Sequence, residues 1–335
     1  MPAQDAQRQP LSARRRLTRW SVVAALLTVL VGIAWLARHP DVLIQLDFAR
    51  QRWMAGLSTS TVQVDDHSWT YAHSEADAPD APLVVLVHGF TGSKENWVPL
   101  ARALDGAYDL VIPDLAGWGD SQRITGADYG YPVQMARLAR FIETVEQRNG
   151  RKVVLVGHSM GGGIAALLAA RRPDLVARAG LLDASGVRFG DNAFGRDVLA
   201  GRNPFEVRDT ATLQRYLDIL FLGDEGRPWI PWPANRIYIA RRVRDAAFEQ
   251  RVLDGIGRSD ARFLPGDEAE RITQPTLLLW CRQDAVIDAS ALGLYGARIP
   301  QATRVLLDGC GHMSLMEQPE SVAGAIEMLI ERGTP

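Results

Sequence analysis

The sequence predicts an α/β fold: a mostly parallel central sheet with helices on both faces, a helical insertion in its second half, and an apolar membrane helix ahead of it. Three observations predict it. Short apolar runs of strand length alternate with helical stretches, the pattern of strands buried on both faces. From Ser185 to about Asp267 that rhythm stops, and a helical, aromatic-rich stretch interrupts the strand series once. Trp20 to Ala37, near the start, is an apolar run broken only by Ser21 and Thr28.

The bulk numbers bound the reading. With 335 residues, 47% of them apolar and 23% charged, the chain fits one large globular domain or a domain with an insertion. A net charge of −2 gives no electrostatic case for a nucleic-acid partner. Two cysteines, Cys281 and Cys310, exclude a disulfide scaffold and a cysteine-rich metal site. Histidines 39, 67, 73, 88, 158 and 312 stand singly, with no HExxH pair, so neither a metal nor a cofactor is expected.

The N-terminal flank, residues 1–19, carries Arg14, Arg15, Arg16 and Arg19, and the apolar run over 20–37 follows. As a helix that run spans about 27 Å, one hydrocarbon core, and is expected to cross the bilayer. The basic flank puts the N-terminus in the cytoplasm and the rest of the chain on the extracytoplasmic, periplasmic side. Gly32 and Ala34 also offer a small-x-small cleavage site, which leaves anchor and cleaved signal peptide both open. On either reading the remainder leaves the cytoplasm, where a disulfide is permitted. Residues 40–59 place Leu43, Leu46, Trp53, Met54 and Leu57 at near-helical spacing around Arg50 and Arg52. They read as an amphipathic linker helix, lying on the membrane or on the domain's own edge.

From Ser60 the elements follow in order. Thr61–Val64 and Ser68–Ala72 read as a hairpin around Asp65-Asp66-His67. Pro82–His88, Leu110–Asp114 and Lys152–Gly157 are buried strands, and Val133–Arg148 is a helix with Met135, Leu138, Ile142 and Val145 on one face. Met160–Arg172 is a small-residue helix closed by Pro173. Ala179–Asp183, Thr276–Trp280 and Thr303–Leu307 complete the strand series.

One motif carries chemistry. Gly157-His158-Ser159-Met160-Gly161 is a G-x-S-x-G run, weak alone but set here between a buried strand and a small-residue helix. A strand-to-helix turn of this kind needs its glycines so that a nucleophilic serine can hold a strained conformation at the sheet's C-terminal edge. Ser159 is therefore the candidate nucleophile, and it requires a base that a third group orients. His312 follows the last strand in a glycine-rich loop and is the candidate base; the other histidines lie in the hairpin, at the membrane flank or inside motifs with local roles. Asp284, one strand earlier, is the candidate acid, and Ser159, Asp284, His312 is the chain order of a known triad arrangement. Asp183, at the end of another strand, remains a rival, and Asp288 a weaker one. The oxyanion donors are expected at the backbone N–H groups of Met160 and Phe90, each contributing about 3–4 kcal/mol. His88 is expected to shape the Phe90 loop by hydrogen bonding.

HGFTGSKENW (88–97), PDLAGWGDS (113–121), GHSMGGG (157–163), WCRQD (280–284) and GCGHMSLMEQP (309–319) resemble, in order, segments of the α/β-hydrolase superfamily over roughly residues 60 to 333. Within it the likeness is to bacterial lipases and to monoacylglycerol lipases with an N-terminal membrane anchor. The resemblance implies a hydrolase core over 60–186 and 267–335 with a lid over 187–266. It implies a carboxylic ester hydrolase (a lipase or esterase), acting on lipid esters of the acylglycerol type through an acyl-serine intermediate. Ser159, Asp284 and His312 would form the catalytic triad, and Phe90 and Met160 the oxyanion hole. Where the family often has glycine this chain has Cys281, which leaves the triad intact and opens a Cys281–Cys310 link between adjacent loops. The serine argues against the haloalkane dehalogenases and epoxide hydrolases of this fold, which use aspartate. Hydrolases that cleave carbon–carbon bonds of ring-fission products, and cofactor-free perhydrolases, share the triad and remain alternatives. A non-catalytic scaffold would be marked by loss of a triad member, and none is lost.

Overall fold

The structure is a computed structural model and describes residues 13–39, 41–78, 80–146, 150–224 and 226–331. The chain divides into two units after Asp47. Helix α1 (Ala13–Arg38) belongs to the first, and the expected span over 20–37 lies within it. Residues 1–12 of the basic flank lie outside the described residues. Among the described residues no single helix is long and apolar enough to cross a membrane, whereas Trp20–Leu36 and Asp41–Met54 taken together meet that test by length and composition. Helix α2 (Asp41–Met54) occupies most of the stretch read as an amphipathic linker; Pro40 lies outside the described residues.

The second unit is built on an eight-stranded sheet. Its strands are β1 (Ser58–Val64), β2 (His67–Ser74), β3 (Leu83–Val87), β4 (Asp109–Pro113), β5 (Val153–His158), β6 (Val176–Leu182), β7 (Thr276–Cys281) and β8 (Thr303–Leu307). They lie in the order β1-β2-β4-β3-β5-β6-β7-β8. Only the β1–β2 and β2–β4 pairs are antiparallel; from β4 onward all neighbours run parallel. The uniform Val and Leu content of the central strands follows from this, because a parallel strand between helical layers has no solvent face. Every residue of β3, β5 and β7 is buried.

The crossover helices are α3 (Val98–Ala103), α4 (Tyr131–Val145), α5 (Met160–Arg171) and α10 (Ser290–Arg298), and α12 (Pro319–Glu331) follows the last strand. Helices α4 and α5 pack together, with α5 on β5 and β6; α3 and α12 form a second pair, with α12 on β6 and β7. Between β6 and β7 the chain forms α6 (Ala193–Leu199), α7 (Thr210–Leu220), α8 (Ala234–Gly257) and the short α9 (Leu264–Asp267). A single turn, α11 (Ser314–Glu317), precedes α12.

Several boundaries differ from those read in the sequence. The helix expected over 133–148 runs from Tyr131 to Val145, because Gly130 caps it and Pro132 sits in the first turn, where a missing N–H leaves no bond unmade. Residues 147–149 lie outside the described residues. The strand expected over 179–183 begins at Val176 and ends at Leu182; Asp183 turns out of it at φ +45°. Cys281 belongs to β7, not to the loop after it.

Candidate active site

The C-terminal ends of β3, β5, β6, β7 and β8 supply the site. β5 ends at His158, Ser159 sits at φ +55°, ψ −120°, and α5 begins at Met160. A non-glycine residue in this region costs on the order of 1–3 kcal/mol and persists only where its surroundings over-determine it. They do so here: the Ser159 N–H donates to the Leu182 carbonyl at 2.9 Å, and its carbonyl accepts from Gly163 and Ser185, both at 3.1 Å. The two motif glycines are needed for close approach. A Cβ on Gly157 would lie 2.2 Å from the Gly161 carbonyl oxygen, and one on Gly161 would lie 2.3 Å from that of Val87.

The structure brings three of the expected side chains into one hydrogen-bonded chain. His312 Nε2 is 2.9 Å from Ser159 Oγ, and its Nδ1 is 2.8 Å from Asp284 Oδ2. Asp284 Oδ1 accepts from the backbone N–H groups of Val286 (2.7 Å) and Ile287 (3.0 Å). With Nδ1–H donating to the carboxylate, the Nε2 lone pair faces the serine hydroxyl. Burial pushes His312 down to about 3, so the imidazole is neutral near pH 7. Burial also pushes the Asp284 carboxyl up, opposed by those two N–H donors.

Asp183 and Asp288 make other contacts. Asp183 is fully buried; its Oδ1 accepts from the Cys281 N–H at 2.8 Å and its Oδ2 from Ser314 Oγ at 2.6 Å. Burial, and then the charge of Asp284, push its carboxyl well above the usual range. Asp288 accepts from the Ser290 N–H at the start of α10.

The loop after β3 lies against the serine, since a Cβ on Gly89 would fall 2.9 Å from Ser159 Cβ. His88 shapes it: Nδ1 donates to the Gly89 carbonyl (2.8 Å) and Nε2 accepts from the Leu115 N–H (3.0 Å). Phe90, next along, packs edge-on to Trp118 at 5.3 Å and stacks on Phe205 at 6.1 Å. Met160 is the first residue of α5, where backbone N–H groups have no intrahelical acceptor.

Sequence reasoning missed two supports of the His312 loop. The His158 ring Nε2 donates to the His312 carbonyl at 2.6 Å. Buried Glu317 accepts from the Gly311 N–H at 2.8 Å and from the Leu222 N–H at 2.9 Å, tying that loop to the segment after α7. The available signal was a lone carboxylate in a short turn of otherwise apolar character. Cys281 and Cys310 form a disulfide, Cα–Cα 5.4 Å, joining the end of β7 to the residues just before His312.

A cavity of about 130 Å³ opens at Ser159, walled by Phe90, Val187, Phe194, Phe205, Leu253 and Ile287 among others. Among the described residues no three His, Cys, Asp or Glu side chains are grouped to hold a metal ion.

Comparison with known proteins agrees with this architecture. The chain is similar to Lipase 1 of Psychrobacter immobilis, 27% identical over 246 residues that cover 72% of this chain and 74% of that one. It is similar to a monoacylglycerol lipase of Bos taurus, 25% identical over 302 residues and 89% of each chain. The crystal structure of a bacterial membrane phospholipase A superposes with a TM-score of 0.82 at 32% identity, over 95% of this chain and 100% of that one. Residues 82–319, from the start of the parallel strands to the first residue of α12, match the alpha/beta hydrolase fold, and the chain belongs to that family.

Proposed function

We propose that this protein is a serine hydrolase that cleaves lipid carboxylic esters through an acyl-serine intermediate, with Ser159 as nucleophile, His312 as base and Asp284 as its orienting acid. The observation that carries the reading is the unbroken Ser159–His312–Asp284 chain opening onto an apolar cavity. Neutral His312 takes the Ser159 proton at Nε2 as Oγ attacks the ester carbonyl carbon. The N–H groups of Phe90 and Met160 receive the developing oxyanion, where each donor contributes about 3–4 kcal/mol in a water-poor site. The imidazolium, stabilised by Asp284, returns the proton to the departing alkoxide oxygen. Water activated by His312 then frees the acid from the serine. The apolar walls suit an acyl chain, and the insertion over 187–266 serves as the lid that carries most of them.

The helix over 20–37 holds the enzyme at a membrane with its catalytic part on the extracytoplasmic side. The apolar run, the arginine flank and the likeness to a membrane phospholipase A support this. So does the Cys281–Cys310 disulfide, which suits an oxidising compartment.

The test is hydrolysis of p-nitrophenyl esters from acetyl to palmitoyl by wild type and Ser159→Ala. Turnover that rises with chain length and with added lipid, and falls on the order of 10⁶-fold in the variant, is expected. Activity confined to short chains would demote lipid as substrate. Folded wild type that ignores all esters and cleaves ring-fission products would replace the ester reading with the carbon–carbon one.

A further inference from the structure

Helix α8 buries one side and leaves the other bare. Arg242, Phe248, Glu249, Val252 and Leu253 are buried, and Leu253 and Ile256 reach the cavity at Ser159. On the opposite side Arg236, Ala240, Val243 and Ala247 are all exposed, and Trp232, just before the helix, is 73% exposed. At 3.6 residues per turn the four helical positions, 236, 240, 243 and 247, fall within an arc of about 60°. No carboxylate occurs among them. The preceding loop adds Trp229, 87% exposed, and Leu222. Two open tryptophans and an exposed valine beside arginines make a stripe that water solvates poorly.

The charges around the stripe select its partner. Arg236, Arg244 and Arg251 are exposed along it, while the nearest acid, Asp245, bonds Arg123 at 2.9 Å and lies 3.8 Å from Arg244 and 4.0 Å from Arg241, leaving the arginines in excess. Among the described residues Asp224 is the exposed acid of the loop before Trp229, on the far side of Gly226. A helix with apolar and indole groups on its outer face and arginines at the rim is the composition that lies in a bilayer interface, with indoles at headgroup level and guanidinium groups on anionic lipid.

A second exposed pair, Trp53 and Met54, ends α2. Their neighbour Arg52 pairs with Glu95, which adjoins buried Lys94; Lys94 binds Asp120, and Arg241 of α8 donates to the carbonyl of the adjacent Gly119. The loop that carries Trp229 starts at the site: Leu220, just before it, accepts the His312 N–H at 2.8 Å.

We infer that Trp229, Trp232 and the outer face of α8 form a docking surface for an anionic phospholipid bilayer, on the helix whose C-terminal end lines the acyl cavity. This rests on the lipid-ester reading and adds the surface through which such a substrate arrives. A second copy of the chain is the competing occupant of the same face.

The test uses the full chain reconstituted in phosphatidylcholine vesicles, with and without phosphatidylglycerol. Wild type is compared with Trp229→Ser/Trp232→Ser, Val243→Asp and Arg236→Ser/Arg244→Ser. Two rates are read, on a soluble short ester and on a long-chain ester in the bilayer, together with quenching of tryptophan fluorescence by brominated acyl chains. The expected result is a soluble-ester rate within about twofold of wild type in every variant, and a bilayer-ester rate lower on the order of tenfold in the tryptophan and valine variants. The arginine variant loses activity only where phosphatidylglycerol is present, as a screened charge attraction requires. The double tryptophan variant also loses part of the quenchable fraction of fluorescence, Trp20 and Trp35 of the N-terminal helix keeping the rest. Unchanged bilayer turnover and unchanged quenching in that variant would overturn the inference. So would a wild-type dimer in detergent that Val243→Asp dissolves, which assigns the face to a second copy. If wild type turned over neither ester, the function reading would fall, while quenching would still decide the surface.

Discussion

The disulfide offers a perturbation whose size follows from the structure. Cys281 and Cys310 close a loop with a sequence separation of 29 residues. In the chain-entropy treatment a loop of that length removes about 3.6 kcal/mol of conformational freedom from the unfolded ensemble at 25 °C. Cys281→Ala/Cys310→Ala is therefore expected to lose about that much, a fall in Tm of about 6 °C for a domain of this size. The active geometry should survive. The two loops are held independently, by Asp183 on the Cys281 N–H and by Glu317 on the Gly311 N–H. The assay is urea denaturation of the full chain in detergent, read by tryptophan fluorescence, with ester turnover measured at 25 °C below the transition. Wild type denatured with a thiol reductant should match the double variant, since both lack the cross-link in the unfolded chain, where the chain-entropy term acts. A shift below about 1 kcal/mol would refute the entropic argument. A normal shift accompanied by loss of turnover would show instead that the disulfide itself aligns Asp284 with His312.

Three further outcomes follow from the same geometry. Asp284→Asn should lower kcat about 10⁴-fold by destroying the tautomer that presents Nε2 to Ser159, whereas Asp183→Asn, which keeps an acceptor for the Cys281 N–H, should stay within about tenfold; the reverse order would make Asp183 the acid. Burial holds His312 at about 3, and protonation removes the base, so activity is lost as pH falls, with the acid limb of kcat/KM well below the 6.5 of a free imidazole. A pH profile with that limb at or above 6.5 would contradict the dry environment described. Gly161→Ala should destabilise by about 1–3 kcal/mol, because its Cβ meets the Val87 and His88 carbonyl oxygens, while Gly293→Ala, with nothing within 4 Å, should stabilise by up to about 1 kcal/mol in thermal unfolding.

How much was legible in the sequence depends on whether the constraint is local. The strands of the parallel sheet announce themselves because each must be apolar on both faces, and β3, β5 and β7 are buried throughout. The Ser159 turn is legible for the same kind of reason: the glycines at 157 and 161 are required by contacts within five residues and with the strand beside them. The true start of α4 was also available locally, in Pro132 after Gly130, but the apolar periodicity that begins at Met135 outweighed it.

The sequence by itself determined the order of strands and helices, the serine turn, and a short set of carboxylates and histidines at one edge of the sheet. Only the tertiary structure decided among them. Asp183 and Asp284 each follow a parallel strand, and no local signal separates them. Asp284 faces the imidazole because its other oxygen is pinned by the Val286 and Ile287 N–H groups, while Asp183, turned at φ +45°, spends both oxygens on Cys281 and Ser314. The aromatic insertion divides in the same way. Phe194 and Phe205 line the cavity, whereas Trp229 and Trp232 lie open, although all four read alike in sequence. Hydrophobic periodicity says that a helix has an apolar face; which face is covered depends on what the rest of the chain brings against it, and that is a property of packing.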